Sequence, residues 1–264
     1  MSAVFRIASF LAPPLAVLVI LVTGWAGVSA VLNLPAYILP DPGRVLSATF
    51  ENSDRLLTGF RNTLIASASG LGMATLIGVV GAIILSLSRN LERAFYPWAV
   101  VLQTVPAVAV APLFVLWVGP GIVSVTLVTF IIALFPILAN TLMGLVSTDR
   151  ALIDLLRMQG ARKWTIFRKI QLPSSLPFFF TGMRISAGLA VIGAIVGEMV
   201  VGRGGSEAGL GYFVVFSATQ LKTDFVFATI IISTALGVSF FLAMYGLSWV
   251  VLGKWHESAT VAEQ

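Results

Sequence analysis

The sequence predicts a single-domain, all-helical membrane protein with about six transmembrane helices. Hydrophobic residues make up 58% of the 264 residues and charged residues only 10%, and the mean hydropathy is +1.00. A soluble domain does not have this composition. The net charge of +5 stands in loops between apolar runs, which favours a role in membrane topology over nucleic-acid binding. We therefore predict one transmembrane domain over residues 1–264 and no nucleic-acid partner.

Six apolar stretches are each long enough to cross a bilayer as a helix, which takes about 20 residues. The predicted spans are residues 11–32, 62–87, 97–118, 122–146, 178–201 and 225–252. The first run is too long for the apolar core of a signal peptide, so we expect it to be retained. A short amphipathic helix is predicted at 44–57. In the third span, Pro106 and Pro112 each remove a backbone donor, which predicts a kink.

Small residues recur at every fourth position in the second and fifth spans. The two rows are Ala66, Gly70, Ala74, Gly78 and Ala82, and Gly182, Ser186, Ala190 and Ala194, with Glu198 next in the second row. Residues four apart lie on one face of a helix, and small side chains there let another helix approach closely. We predict tight helix contacts within the monomer at both rows and rank pore lining second.

The distribution of basic residues predicts that both termini are cytoplasmic. With six spans, ten basic residues fall on the inner side and five on the outer side, which agrees with the positive-inside rule. The inner ten are Arg6, Arg89, Arg93, Arg150, Arg157, Arg162, Lys163, Arg168, Lys169 and Lys254. The outer five are Arg44, Arg55, Arg61, Arg203 and Lys222.

The segment 149–177 is the one long polar interruption in the second half of the chain. It holds six of the sixteen basic residues and is predicted to form two short helices, residues 151–158 and 163–170. Gly160 and Ala161 allow a tight turn between them. Pro173 and Pro177 are predicted to stop the second helix. A helix pair of this kind on the membrane surface is typical of a docking element.

The same segment holds a pattern of seven residues: Asp154, Leu155, Leu156, Gly160, Ile170, Leu172 and Pro173. The pattern resembles an E-A-A run, a glycine four positions after the run, and then I-x-L-P. These features mark the cytoplasmic loop of permease subunits from bacterial ABC importers. Leu155 and Leu156 are bulkier than the family's alanines. PLFVLWVGPG at 112–121, VGEMV at 196–200 and GLGYFV at 209–214 resemble the branch that imports nitrate, sulfonates, taurine, bicarbonate and pyrimidine or flavin precursors.

The resemblance implies a type I importer fold in a bacterial inner membrane, with a coupling helix between spans four and five. It implies three partners: cytoplasmic ATPase subunits that bind ATP and Mg²⁺, an extracytoplasmic substrate-binding protein, and a second permease copy in a homodimer. The expected contacts to the ATPase are the matched positions together with Ala161, Arg162 and Lys163. The branch leans towards a heterocyclic vitamin precursor as substrate, by analogy alone.

Three polar residues are candidates for the translocation path or its gate: Glu198, Gln103 and Asn140. Glu198 is the one acid inside a predicted span, and charge at membrane depth favours a functional role. Close to the outer surface it could instead be structural, and the amides could equally bond helix to helix.

The sequence holds no nucleotide-binding phosphate loop, one histidine (His256) and no cysteine. We therefore predict no catalytic residue, no metal site and no cofactor bound by this chain, with ATP hydrolysis on a separate chain. Two alternatives stay open at this point. One is the transmembrane component of an energy-coupling-factor vitamin importer. The other is a secondary transporter driven by an ion gradient.

Overall fold

The fold is a bundle of long helices. The computed structural model describes the backbone of residues 2–32 and 34–253, and side chains from residue 12 onward in those ranges; Lys254 and His256 lie outside. Within these ranges the chain forms helices and no β-strand. The helices are α1 (Ser2–Val31), α2 (Pro42–Glu51), α3 (Ser53–Ser86), α4 (Arg89–Thr104), α5 (Ala107–Val118), α6 (Ile122–Val146), α7 (Arg150–Met158), α8 (Lys163–Ile166), α9 (Leu172–Val201), α10 (Leu210–Thr219) and α11 (Thr223–Leu252). Five are long and apolar enough to span a membrane, and the pair α4–α5 would make a sixth.

The predicted amphipathic helix at 44–57 is divided between two helices. Asp41 caps α2 by accepting a 3.0 Å hydrogen bond from the Arg44 N–H, and Pro42 begins the helix. Both choices suit a helix start, where the first N–H groups lack partners within the helix. Asn52 separates α2 from α3, which begins nine residues before the predicted second span. The second span is therefore a longer helix that projects beyond its apolar part.

The third predicted span is broken, and the two halves differ in direction by 95°. Pro106 has no N–H to continue α4 and restricts the residue before it, so Val105 is extended at φ −68° and ψ 124°. Pro112 lies inside α5 without ending it. The kink predicted from these two prolines is therefore a sharp break at one of them.

The core forms where α6 lies between α3 and α9. One buried cluster joins Leu71 and Ala74 of α3 to Ile137 of α6 and to Ala187 and Ala190 of α9. All members of both small-residue rows are buried. A Cβ on Gly182 would lie 2.6 Å from the Pro136 carbonyl oxygen. The rows therefore form close helix contacts within the monomer, as the periodicity indicates.

The stop predicted at Pro173 and Pro177 is wrong. Helix α8 continues through a π-helical turn, Phe167–Gln171, into α9, so one helical segment runs over Lys163–Val201. The Leu172 N–H bonds to the Phe167 carbonyl, five residues back. The wide turn relieves the clash that the ring of Pro173 would make with the preceding turn. Pro177 costs one backbone bond in a helix held by packing at the buried Ser175 and Phe180.

Candidate functional site

The segment between α6 and α9 is a compact helix–turn–helix. The Asp149 carboxyl group caps α7 by accepting a 2.8 Å hydrogen bond from the Ala151 N–H. At the other end Gly160 has φ +77°, a conformation that glycine adopts without strain. This bend lets the Ala161 N–H bond to the Leu156 carbonyl at 3.0 Å, which closes the helix. The turn predicted at Gly160 and Ala161 thus has a physical basis in the backbone.

Helix α7 presents apolar side chains to its surroundings. Leu155 is 48% exposed and Met158 is 80% exposed, and Leu152 beside them is also exposed. Leu156 is half-buried, and Asp154 pairs with Arg157 at 3.3 Å on the exposed side. Such an exposed pair contributes little to stability. An apolar helix face with a polar surround is the anatomy of a protein–protein contact.

The base of the segment is anchored to the ends of α3 and α6. Ile166 is buried, and Trp164 stacks on Phe167 with ring centroids 5.5 Å apart. Phe167 also packs against a buried cluster that includes Leu85 of α3 and Leu142 of α6, and a cavity of about 420 Å³ lies beside this contact. The Gln171 amide donates a 3.4 Å hydrogen bond to the Leu145 carbonyl of α6. The segment is therefore tied to the core at its base and open on its α7 face.

The structure brings the predicted coupling positions to one end of the bundle. Arg162 and Lys163 are exposed at the start of α8, Ala161 and Ile170 are half-buried, and Leu172 and Pro173 are exposed. Trp164 and Met158 are two exposed apolar residues of this surface that the family motif does not include. Met158 follows Leu155 by three positions on α7, and this helical spacing was the available signal for it. Trp164 lies on α8, beyond the Gly160 turn, where that spacing does not apply.

The three candidate path residues lie apart from one another. Gln103 is exposed on the last turn of α4, beside the break before α5. Asn140 is half-buried in α6, donates to the Pro136 carbonyl at 2.8 Å and lines a cavity of about 320 Å³ with Glu92 and Tyr96. No described hydrogen bond joins these two amides to each other or to Glu198.

Glu198 is buried, with 5% of its surface exposed. Its Oε2 accepts a 2.9 Å hydrogen bond from the Thr63 hydroxyl of α3 and another of 2.9 Å from the Gly211 N–H of α10. Thr63 Oγ1 in turn accepts from the Leu210 N–H at 2.9 Å. Sequence reasoning missed Thr63 because 135 positions separate it from Glu198. A lone threonine in an apolar span gives no signal of such a partner.

The comparisons with known proteins identify the family. The family model "Binding-protein-dependent transport system inner membrane component" matches residues 56–248. The formylaminopyrimidine transport permease ThiX of Halalkalibacterium halodurans is 40% identical over 82% of this chain and 85% of its own. The riboflavin transport system permease RibX of Chloroflexus aurantiacus is 33% identical over 93% of this chain and 90% of its own.

A relative with a different solute and one solved structure extend the comparison. The putative aliphatic sulfonates transport permease SsuC of Bacillus subtilis is 31% identical over 83% of this chain and 78% of its own. The inward-facing structure of the MetNI methionine ABC transporter matches with a TM-score of 0.52, over 72% of this chain and 95% of that chain. At 21% identity this match shows the fold alone, that of a type I importer permease.

Family membership decides between the alternatives left open by the sequence. It excludes the energy-coupling-factor and ion-gradient hypotheses, and it implies a separate ATPase and a substrate-binding protein as partners. The chain belongs to the binding-protein-dependent inner membrane components, and it is a multi-pass permease subunit of an ABC importer that hydrolyses no ATP itself.

Proposed function

We propose that α7 and the Gly160 turn dock on the cytoplasmic ATPase and transmit its motion to the spans. The observation that carries this proposal is the continuity of α8, the π turn and α9 over 39 residues. At 1.5 Å per residue such a helix is about 58 Å long. A displacement of the docking segment would therefore move α9 directly, without an intervening loop.

The chemistry of the segment suits a groove on a partner protein. Leu152, Leu155 and Met158 offer apolar anchors, and Arg162 and Lys163 stand exposed beside them. Buried apolar anchors provide most of the affinity at such contacts, and rim charges steer association. ATP and Mg²⁺ belong to the partner in this arrangement.

The proposal requires the segment to face the cytoplasm, with both termini on the same side. Because the chain has no native cysteine, a single Ser174→Cys change gives a specific probe. We expect an impermeant maleimide to label it only after cells are permeabilised. Ser206→Cys, at an exposed position in the loop before α10, should label in intact cells. Labelling of Ser174→Cys from outside would exclude the proposed docking.

We further propose that the permease works as a homodimer, with the solute path beside the break between α4 and α5. Helix α4 has no buried residue in the monomer. The break leaves backbone groups without helical partners, and at membrane depth these require protein or a water-filled cavity. A second copy, related by a two-fold axis, supplies protein contacts to these groups and encloses a water-filled path beside them. Gln103 would line the path at the break, and Asn140 would line it nearer the inner end of α6.

A cross-linking experiment tests the dimer and the place of Gln103 together. We expect Gln103→Cys, treated in membranes with a short bifunctional thiol reagent, to give a covalent dimer. Leu76→Cys, at an exposed apolar position of α3, is the matched control and should stay monomeric. Monomeric Gln103→Cys would contradict a path at the two-fold axis. An equal yield of dimer from both variants would indicate collisions in the membrane.

The proposed substrate is a small heterocycle related to pyrimidine or flavin precursors. Two of the similar permeases described above are named for formylaminopyrimidine and riboflavin. In cells that express the complete importer, we expect uptake of a radiolabelled aminopyrimidine that unlabelled aminopyrimidine suppresses. Taurine at the same excess should have no effect. Suppression by taurine and not by aminopyrimidine would indicate that the substrate is a sulfonate.

A further inference from the structure

A cavity of about 710 Å³ opens beside α10. Its walls come from α2 and α3 on one side and from the segment 205–217 and the start of α11 on the other. The lining combines charged and aromatic side chains, among them Glu51, Arg55, Tyr212, Phe216, Lys222 and Asp224. The rings of Tyr212 and Phe216 stack, with centroids 5.5 Å apart. In the proposed orientation this cavity faces the side from which solute arrives.

Helix α10, which forms one wall of this cavity, has its first turn against Glu198 of α9. The first N–H groups of a helix lack partners within the helix, and in α10 two of them bond to side chains of other helices. The Gly211 N–H bonds to Glu198, and the Leu210 N–H bonds to Thr63. Glu198 and Thr63 therefore cap α10 from outside its own segment.

The approach of Glu198 depends on glycines at 209 and 211. A Cβ on Gly209 would collide with the Glu198 carboxyl group, and a Cβ on Gly211 would collide with the Ile195 carbonyl oxygen. The Glu198 carboxyl group thus occupies the space that the Cβ of any residue other than glycine would fill at position 209. No described Lys or Arg forms an ion pair with Glu198, so hydrogen bonds alone satisfy it within the described structure.

Asn62 reinforces the same attachment. Its amide donates to the Ser206 carbonyl at 2.9 Å and to the Ala208 carbonyl at 3.0 Å. Neighbouring residues of α3, together with Glu198 of α9, therefore bond to the backbone of 206–211 at several points. Beyond Gly211, α10 continues along the cavity, and no described side chain of another helix hydrogen-bonds to that part of it.

We propose that Glu198 is a positioning residue that holds the segment 205–219 in place as the wall of the outer cavity. It acts on solute entry through α10, without lining the path itself. This inference rests on the proposed function only in assuming that solute enters from the side of this cavity. The attachment of α10 is a property of the chain alone and can be measured without the ATPase.

The test follows the accessibility of a buried reporter in purified chain. Ala208→Cys is placed at a fully buried position on the held segment, and Ala187→Cys at a fully buried position in the core of α9. We expect Glu198→Ala to raise maleimide labelling of Ala208→Cys at least about tenfold, because a buried acceptor for two donors is lost. Labelling of Ala187→Cys should not change. Glu207→Gln, in the exposed neighbouring turn, is the matched control and should have no effect.

Conservative replacement separates positioning from folding. Glu198→Gln keeps an oxygen for both donors, so labelling of Ala208→Cys should stay within about threefold of the parent. Uptake should fall in Glu198→Ala with the ATPase still bound. Unchanged labelling of Ala208→Cys, or equal acceleration at both reporters, would overturn the inference. Gly160 variants should not alter this labelling, so failure of the docking proposal would be seen separately.

Discussion

Gly160→Arg is expected to abolish solute uptake and to leave the chain in the membrane at the parent level. Apart from Gly160 and its two chain neighbours, no residue has an atom within 4 Å of a Cβ placed there, so the arginine meets open space in the free chain. Its cost to the fold is limited to the positive φ of +77°, about 1–2 kcal/mol. In the proposed complex with the ATPase, the same side chain would occupy the contact surface beside Leu155 and Met158.

The measurement is retention of the ATPase in mild detergent together with uptake, normalised to expression. Gly160→Asn is the matched control, because asparagine tolerates a positive φ and adds little volume. It should retain most of the ATPase and most of the uptake. If Gly160→Arg kept both at the parent level, α7 would not be the docking element. If neither variant accumulated in the membrane, the turn would be required for folding.

Ala74→Leu and Ala190→Leu are each expected to destabilise the permease by roughly 1–3 kcal/mol through overpacking. Both positions are fully buried in the cluster between α3, α6 and α9. A leucine there must push helices apart, and dispersion between close helices is what stabilises them in lipid.

Thermal unfolding in detergent, followed by the loss of monodisperse protein, measures this effect. Gly72→Leu is the matched control, since a Cβ on Gly72 meets nothing within 4 Å. Its melting temperature should match or exceed that of the parent. Parent-like stability in both buried variants would mean that α3 and α9 have room at this contact.

Features that depend on residues close together in the chain could be predicted from the sequence. The row from Ala66 to Ala82 could be recognised because helical periodicity is a local property, and its burial followed from residue size. The Gly160 turn was predictable for the same reason, since positive φ favours glycine at a helix end. The resemblance to the family motif added the proposed docking role of the segment, which spacing alone would have left as a surface helix pair.

Features that depend on distant residues could not be read in advance. Pro106 predicted a kink, but the 95° angle depends on how α5 packs against α6 and α9. Pro173 has the local signature of a helix stop, yet the preceding π turn and the packing of α9 override it. Glu198 was ambiguous because its partners, Thr63 and the N–H of Gly211, lie on two other helices.

The π turn also determines how far the helix is rotated about its axis between the proposed docking segment and the core. Ile166 and Gly182 are both buried, although 16 residues of uninterrupted α-helix would place them about 160° apart around the axis. A π turn accommodates one extra residue, which reduces the difference to about 60°. The extra residue therefore turns Ile166, at the base of the proposed docking segment, by about 100° towards the face of α9 that carries Gly182.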